Sequence, residues 1–130
     1  MKRIIILIVI AIAFFSCSKE DAHLNENLIG TWNWVASSGG IDGNTQTPET
    51  TKNQIILRIS SDTIKYYINE DLKFSSSYKV EAKMSNIFNE QRKMIILDDV
   101  QYKMFTIIEN TLILIDDCAD CYTYEYQKAN

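Results

Sequence analysis

Between residues 28 and 128 apolar and polar side chains alternate with a period of two, the spacing of strands that bury one face. In Leu28 to Ala36, residues 28, 30, 32, 34 and 36 (Leu, Gly, Trp, Trp, Ala) share one face, and Ile29, Thr31, Asn33 and Val35 share the other. Gln54 to Ile59 turns Ile55, Leu57 and Ile59 to one side, and Thr63 to Ile68 does the same with Ile64, Tyr66 and Ile68. The later half of Leu72 to Met84 is the cleanest alternation, with Tyr78, Val80, Ala82 and Met84 set against Ser77, Lys79, Glu81 and Lys83. Met94 to Leu97, Gln101 to Glu109 and Thr111 to Asp116 are apolar on both faces, which predicts that the connection bearing Phe88, or a partner, covers their outer side. The last strand, Cys121 to Lys128, places Tyr122, Tyr124 and Tyr126 opposite Thr123, Glu125 and Gln127.

Turn chemistry separates these runs at Ser60-Ser61-Asp62, Asn69-Glu70-Asp71, Asp98-Asp99 and Glu109-Asn110. Two connections are longer. Ser37 to Thr51 holds Gly39, Gly40 and Gly43 together with Pro48, a composition that predicts a mobile loop acting as a lid. Ser85 to Lys93 is the other, and it carries Ile87 and Phe88. Eight strands joined by hairpins predict an all-β domain over residues 28–130, an eight-stranded antiparallel up-and-down barrel, with a two-sheet sandwich as the alternative of equal strand count. At its closed end Trp32 would plug the floor, with Gly30 letting a neighbouring backbone come close.

The residues ahead of the barrel change the picture. Met1-Lys2-Arg3, the apolar run Ile4 to Phe15 and the small Ser16 are the three parts of a secretory signal over residues 1–16. The run is 12 residues long, short of the ~20 that span a bilayer. Phe14-Phe15-Ser16-Cys17 resembles a bacterial lipobox, which implies cleavage before Cys17, acyl chains such as palmitate on that cysteine, and anchoring to a membrane. Residues 17–27 then read as the lipidated cysteine and a flexible polar tether containing His23. Within it, Ser18-Lys19-Glu20-Asp21 resembles the export signal of Bacteroidetes lipoproteins and implies the outer membrane and its exterior. Removing residues 1–16 takes Lys2 and Arg3 from the 13 basic residues and leaves 11 against 17 acidic ones, a formal charge of −6. A domain of that sign is repelled by phosphate backbones, so no nucleic-acid partner is expected.

Chemistry-bearing residues are few. Cys118 and Cys121 lie at the ends of a four-residue turn in an oxidising compartment, within about 7 Å, and predict a disulfide. A redox pair would want a helix N-terminus. A zinc site would want two more ligands, and the neighbouring aspartates lack the spacing of a calcium loop, so no metal or cofactor is expected. His23 lies outside the domain, leaving no Ser/His/Asp set, and Asp98 and Asp99 are neighbours in a turn that point apart, so the chain does not read as an enzyme.

Gly30-Thr31-Trp32 matches the Gly-x-Trp that opens the first strand of lipocalins. More closely, Leu28 to Gly40, Thr47-Pro48-Glu49 and Cys-x-x-Cys-Tyr-Thr-Tyr-Glu-Tyr at 118–126 resemble the small lipocalin-like lipoproteins of Bacteroidetes. The resemblance implies a calycin-type barrel and a small hydrophobic ligand. The other lipocalin motifs are missing, including the arginine that packs over the tryptophan, for which Lys128 is the candidate stand-in. The inward aromatic set, Trp32, Trp34, Tyr66, Tyr78, Tyr122, Tyr124 and Tyr126 with Met84, is the expected ligand-binding interior. The competing reading fills the barrel with these same rings and makes it a protein-interaction module, with the long loops and the apolar faces near residues 94–115 as contact surface.

Overall fold

The computed structural model describes residues 26–98 and 101–130. The signal segment, Cys17 with its lipid, His23 and Asp99 lie outside the described residues. Period-two alternation becomes nine strands: β1 (Gly30–Gly39), β2 (Asn44–Gln46), β3 (Ile55–Ile59), β4 (Thr63–Ile68), β5 (Asp71–Met84), β6 (Gln91–Leu97), β7 (Gln101–Ile108), β8 (Thr111–Asp116) and β9 (Tyr122–Lys128), with one helical turn, α1 (Pro48–Thr51), between β2 and β3. Each pairing is antiparallel, the order is β2-β1-β3-β4-β5-β6-β7-β8-β9, and β1 also pairs with β9. Eight strands therefore close an up-and-down barrel, and β2 is appended to it. Closure decides against the sandwich.

Strand length explains how the ring closes. β1 uses Gly30 to Asn33 to pair with β3 and Ser37 to Gly39 to pair with β2, while its other edge runs along β9 from Trp32 to Gly39. β5 likewise changes partner midway, from β4 over Asp71 to Ser77 to β6 over Tyr78 to Met84. The register of β1 against β9 shifts between Trp34 and Ala36, a bulge that inserts one residue. That shift overturns the inward placement of Ala36. It pairs with Glu125, whereas Ser37 stands opposite Tyr124, is buried, and accepts a hydrogen bond from Trp34 Nε1 at 2.8 Å.

At the closed end, Leu28 precedes the strand in a helical turn instead of opening it. Leu28 and Trp32 are fully buried, and the indole Nε1 donates to the Leu28 carbonyl at 2.9 Å. Lys128 does lie over Trp32, its ammonium 5.1 Å from the ring centroid and donating to the Asn27 carbonyl at 3.3 Å. The room left by Gly30 serves this lysine, because a Cβ there would meet Lys128 Cε at 3.0 Å. Close backbone approach occurs instead at Gly39, where φ is +135° and a Cβ would be driven into the Cys121 carbonyl oxygen.

Ser37 to Thr51 is built differently from the expected lid. Gly40 and Gly43, at φ +74° and +61°, turn a hairpin closed by Gly43 N–H donating to the Gly40 carbonyl at 3.1 Å. Thr47 then caps α1, whose first residue is Pro48. The segment extends the sheet at the edge of β1.

Met94, Ile96 and Met104 alternate with the core residues Ile95, Leu97 and Phe105, so they lie on the outer face, and all three are buried. The β5–β6 hairpin is folded across this side. Lys83 sits 4.7 Å above the Tyr102 ring, and the hairpin tip is tied to Asp117. Ser85 Oγ donates to this carboxylate at 2.7 Å, and Asn86 donates from its backbone N–H at 2.9 Å and from Nδ2 at 2.9 Å. Partial burial alone would raise the Asp117 pKa, but these hydrogen bonds and one from the Ile87 N–H outweigh it and hold the carboxyl below its ordinary value. The apolar outer faces near residues 94–115 are therefore largely taken up within the chain. Phe88 remains half exposed beneath the Arg92 guanidinium, 4.9 Å away.

Gly39→Ala should lower stability by about 1–3 kcal/mol, from backbone strain together with the clash at Cys121. Gly43→Ala should cost less, because a Cβ there meets nothing within 4 Å. Urea unfolding followed by circular dichroism separates the two, and equal losses would count against the close approach as the cause.

Candidate functional site

Inside the barrel is a cavity of about 260 Å³. That is just under the ~300 Å³ at which ligand pockets ordinarily begin. Its walls come from seven successive strands: Leu57 and Ile59 on β3, Ile64 and Tyr66 on β4, Phe74 on β5, Ile95 and Leu97 on β6, Gln101 and Lys103 on β7, Leu114 on β8, and Tyr124 and Tyr126 on β9. Apolar side chains dominate. Polar character is confined to Gln101, Lys103 and the three tyrosine hydroxyls.

One charged group in the wall is already occupied. Lys103 faces Asp116 across the β7–β8 pairing, and their side chains form an ion pair with roughly a fifth of each still exposed. Tyr124 donates to the same carboxylate at 3.3 Å, while the Lys103 ammonium stands 4.8 Å over the Tyr124 ring. This set lies where the cavity meets solvent. Burial, then the negative charge of Asp116, pushes the Tyr124 phenol up to about 12. Burial also raises the Tyr126 and Tyr66 phenols, so all three are neutral across the physiological range.

The structure divides the predicted aromatic interior. Tyr66, Tyr124 and Tyr126 come together on the cavity wall. Trp32 and Trp34 are buried in the same core without reaching the cavity, filling the space toward the closed end. Tyr78 packs against the core, but its hydroxyl turns away to donate to the Ser60 carbonyl at 2.6 Å. Two placements are corrected. Met84 is 58% exposed, because β5 runs on beyond Val80 into the hairpin that leaves the barrel. Tyr122 is 38% exposed, because it begins β9 at the rim opposite Gly39.

Several wall residues were not marked by the sequence as a site. Ile95, Leu97 and Leu114 lie in strands apolar on both faces, where periodicity cannot say which side is inward. Lys103 and Asp116 are paired only through the β7–β8 register, and the sole signal for it is the short Glu109-Asn110 turn between them. None of the residues from Ser37 to Thr51 lines the cavity.

Cys118 and Cys121 are bonded to each other, with Cα atoms 5.5 Å apart. Their turn leads into β9, and the Cys121 carbonyl accepts from the Gly40 N–H at 3.3 Å, joining the staple to the β1–β2 hairpin. Among the described residues no three His, Cys, Asp or Glu side chains are grouped so as to hold a metal ion.

A phenol whose folded pKa is raised favours the neutral form. The unfolded chain therefore ionises first, near pH 10, and stability falls as pH rises from there toward about 12, where Tyr124 ionises in the fold. Tyr124→Phe should make the loss of stability between these limits less steep and remove one step near pH 12 from the absorbance titration at 295 nm. An unchanged titration would refute the assignment.

No protein-family model, curated protein or solved structure matches this chain.

Proposed function

We propose that this chain is a lipocalin-like lipoprotein of the Bacteroidetes type, anchored through acyl chains on Cys17 to the outer membrane and facing outward, whose barrel takes up a small hydrophobic or aromatic molecule without catalysing a reaction. The observation that carries the reading is the apolar cavity of about 260 Å³ inside a closed barrel. An interior packed with side chains to the end would leave no such space. Supporting the anchor are the lipobox-like Phe14-Phe15-Ser16-Cys17 and the polar residues that follow it. Binding here is reversible burial of apolar surface, worth about 25 cal/mol per Å² removed from water.

The rival reading, a protein-interaction module, is weakened by the burial of Met94, Ile96 and Met104 on the outer face. What it retains is the exposure of Met84, Ile87 and Phe88 on the β5–β6 hairpin, with Ile41, Leu72 and Ile108 exposed elsewhere. Single exposed apolar residues such as Ile41, Leu72 and Ile108 are ordinary on a protein surface.

Leu114→Phe adds ring volume to the cavity wall. It should abolish binding of naphthalene, followed by ligand fluorescence, while leaving the melting temperature within a few degrees of the parent. Undiminished binding would place the ligand elsewhere. In cells, Cys17→Ala should move the protein from the membrane fraction to the soluble fraction, and retention on membranes would refute the lipid anchor.

A further inference from the structure

Tyr126 is 4% exposed, yet its hydroxyl donates to no described residue and accepts from none. Among the described residues no fully enclosed side-chain nitrogen or oxygen lacks a partner. The Tyr126 hydroxyl must therefore open onto the cavity that its ring lines. Tyr66 shares the wall with Tyr126, and it too has no hydrogen bond to a described residue. The third phenol, Tyr124, is committed to Asp116. Two tyrosines whose hydroxyls have no partner among the described residues thus line a mostly apolar space, where a polar group left without a partner costs about 1–3 kcal/mol.

We propose that Tyr126, with Tyr66, is the hydrogen-bonding handle of the barrel, and that the ligand is a small neutral amphiphile carrying a hydroxyl or carbonyl group on an apolar body of about two fused rings or equivalent size. The inference rests on the cavity reading above and specifies its ligand class. Size follows from volume: a cavity of about 150 Å³ holds one benzene ring, and this one is 260 Å³. Neutrality follows from the wall. Among the described residues lining the cavity the only cation is Lys103, and its charge is already met by Asp116, so a carboxylate would find no free counter-ion and an acid beside it. A hydrocarbon would fit the volume but leave both hydroxyls unpaired or trap water against them.

The test compares naphthalene, 2-naphthol and 2-naphthoate by titration calorimetry on the full chain and on its Tyr126→Phe and Tyr66→Phe variants, each checked for an unchanged circular dichroism spectrum. Removing the Tyr126 hydroxyl should weaken 2-naphthol by about three- to tenfold, the worth of one hydrogen bond, leave naphthalene unchanged or tighter, and leave 2-naphthoate the weakest throughout. If 2-naphthol and naphthalene respond alike in both variants, the handle is refuted while the cavity reading stands. If 2-naphthoate binds tightest, neutrality is refuted. Should no probe bind the parent chain, the cavity reading falls and the handle with it.

Discussion

Pairing of the first strand with the last is the constraint on which the rest of the molecule depends. Without the β1–β9 ladder the eight strands are an open curled sheet with two long edges and no enclosed space. The features at that seam all make the fit feasible. Gly39 lets β1 pass against Cys121, the bulge between Trp34 and Ala36 corrects the register so that Ser37 and Tyr124 meet inside, and Lys128 crosses the base of the seam over Trp32. The bonded turn at Cys118 and Cys121 holds the entry to β9 where Gly40 can bond to it.

Inside this seam the molecule is graded from end to end. The base is dry and filled, with Leu28 and Trp32 fully buried and the indole bonded to a backbone carbonyl. Toward the other end the side chains no longer meet, and the space that results is bounded by phenols and one compensated ion pair. The same three alternating positions of β9 show the grade on one strand: Tyr126 enclosed, Tyr124 half buried and bonded to Asp116, Tyr122 exposed at the rim. A tyrosine in each position suits a wall that passes from hydrocarbon to water.

Strand positions were legible because alternation is a local property: β4 and β8 lie where the pattern placed them, and β3, β5, β7 and β9 within one residue. Direction was lost wherever a long-range event reset the parity. Ala36 was misassigned because the bulge is imposed by fitting β1 to β9, residues remote in sequence, and Met84 because nothing local says where a long strand leaves the barrel. Met94 and Ile95 read identically as isoleucine-rich apolar sequence, yet one faces out under the hairpin and the other faces the cavity. The candidate site was legible only in part for the same reason. Three of its tyrosines stood on clean strands, while the pair Lys103 and Asp116 exists through cross-strand register alone.

The appended strand has a bearing on how the protein behaves in a crowd. β2 carries an outer edge that no other strand of the closed sheet covers, and such an edge invites a strand from another molecule. Here it is three residues long, Asn-Thr-Gln, fully polar, and cut off almost at once by Pro48, which has no N–H to offer. An incoming chain would gain a few backbone bonds and no apolar contact. The strand appended to the barrel is thereby a poor seed for aggregation.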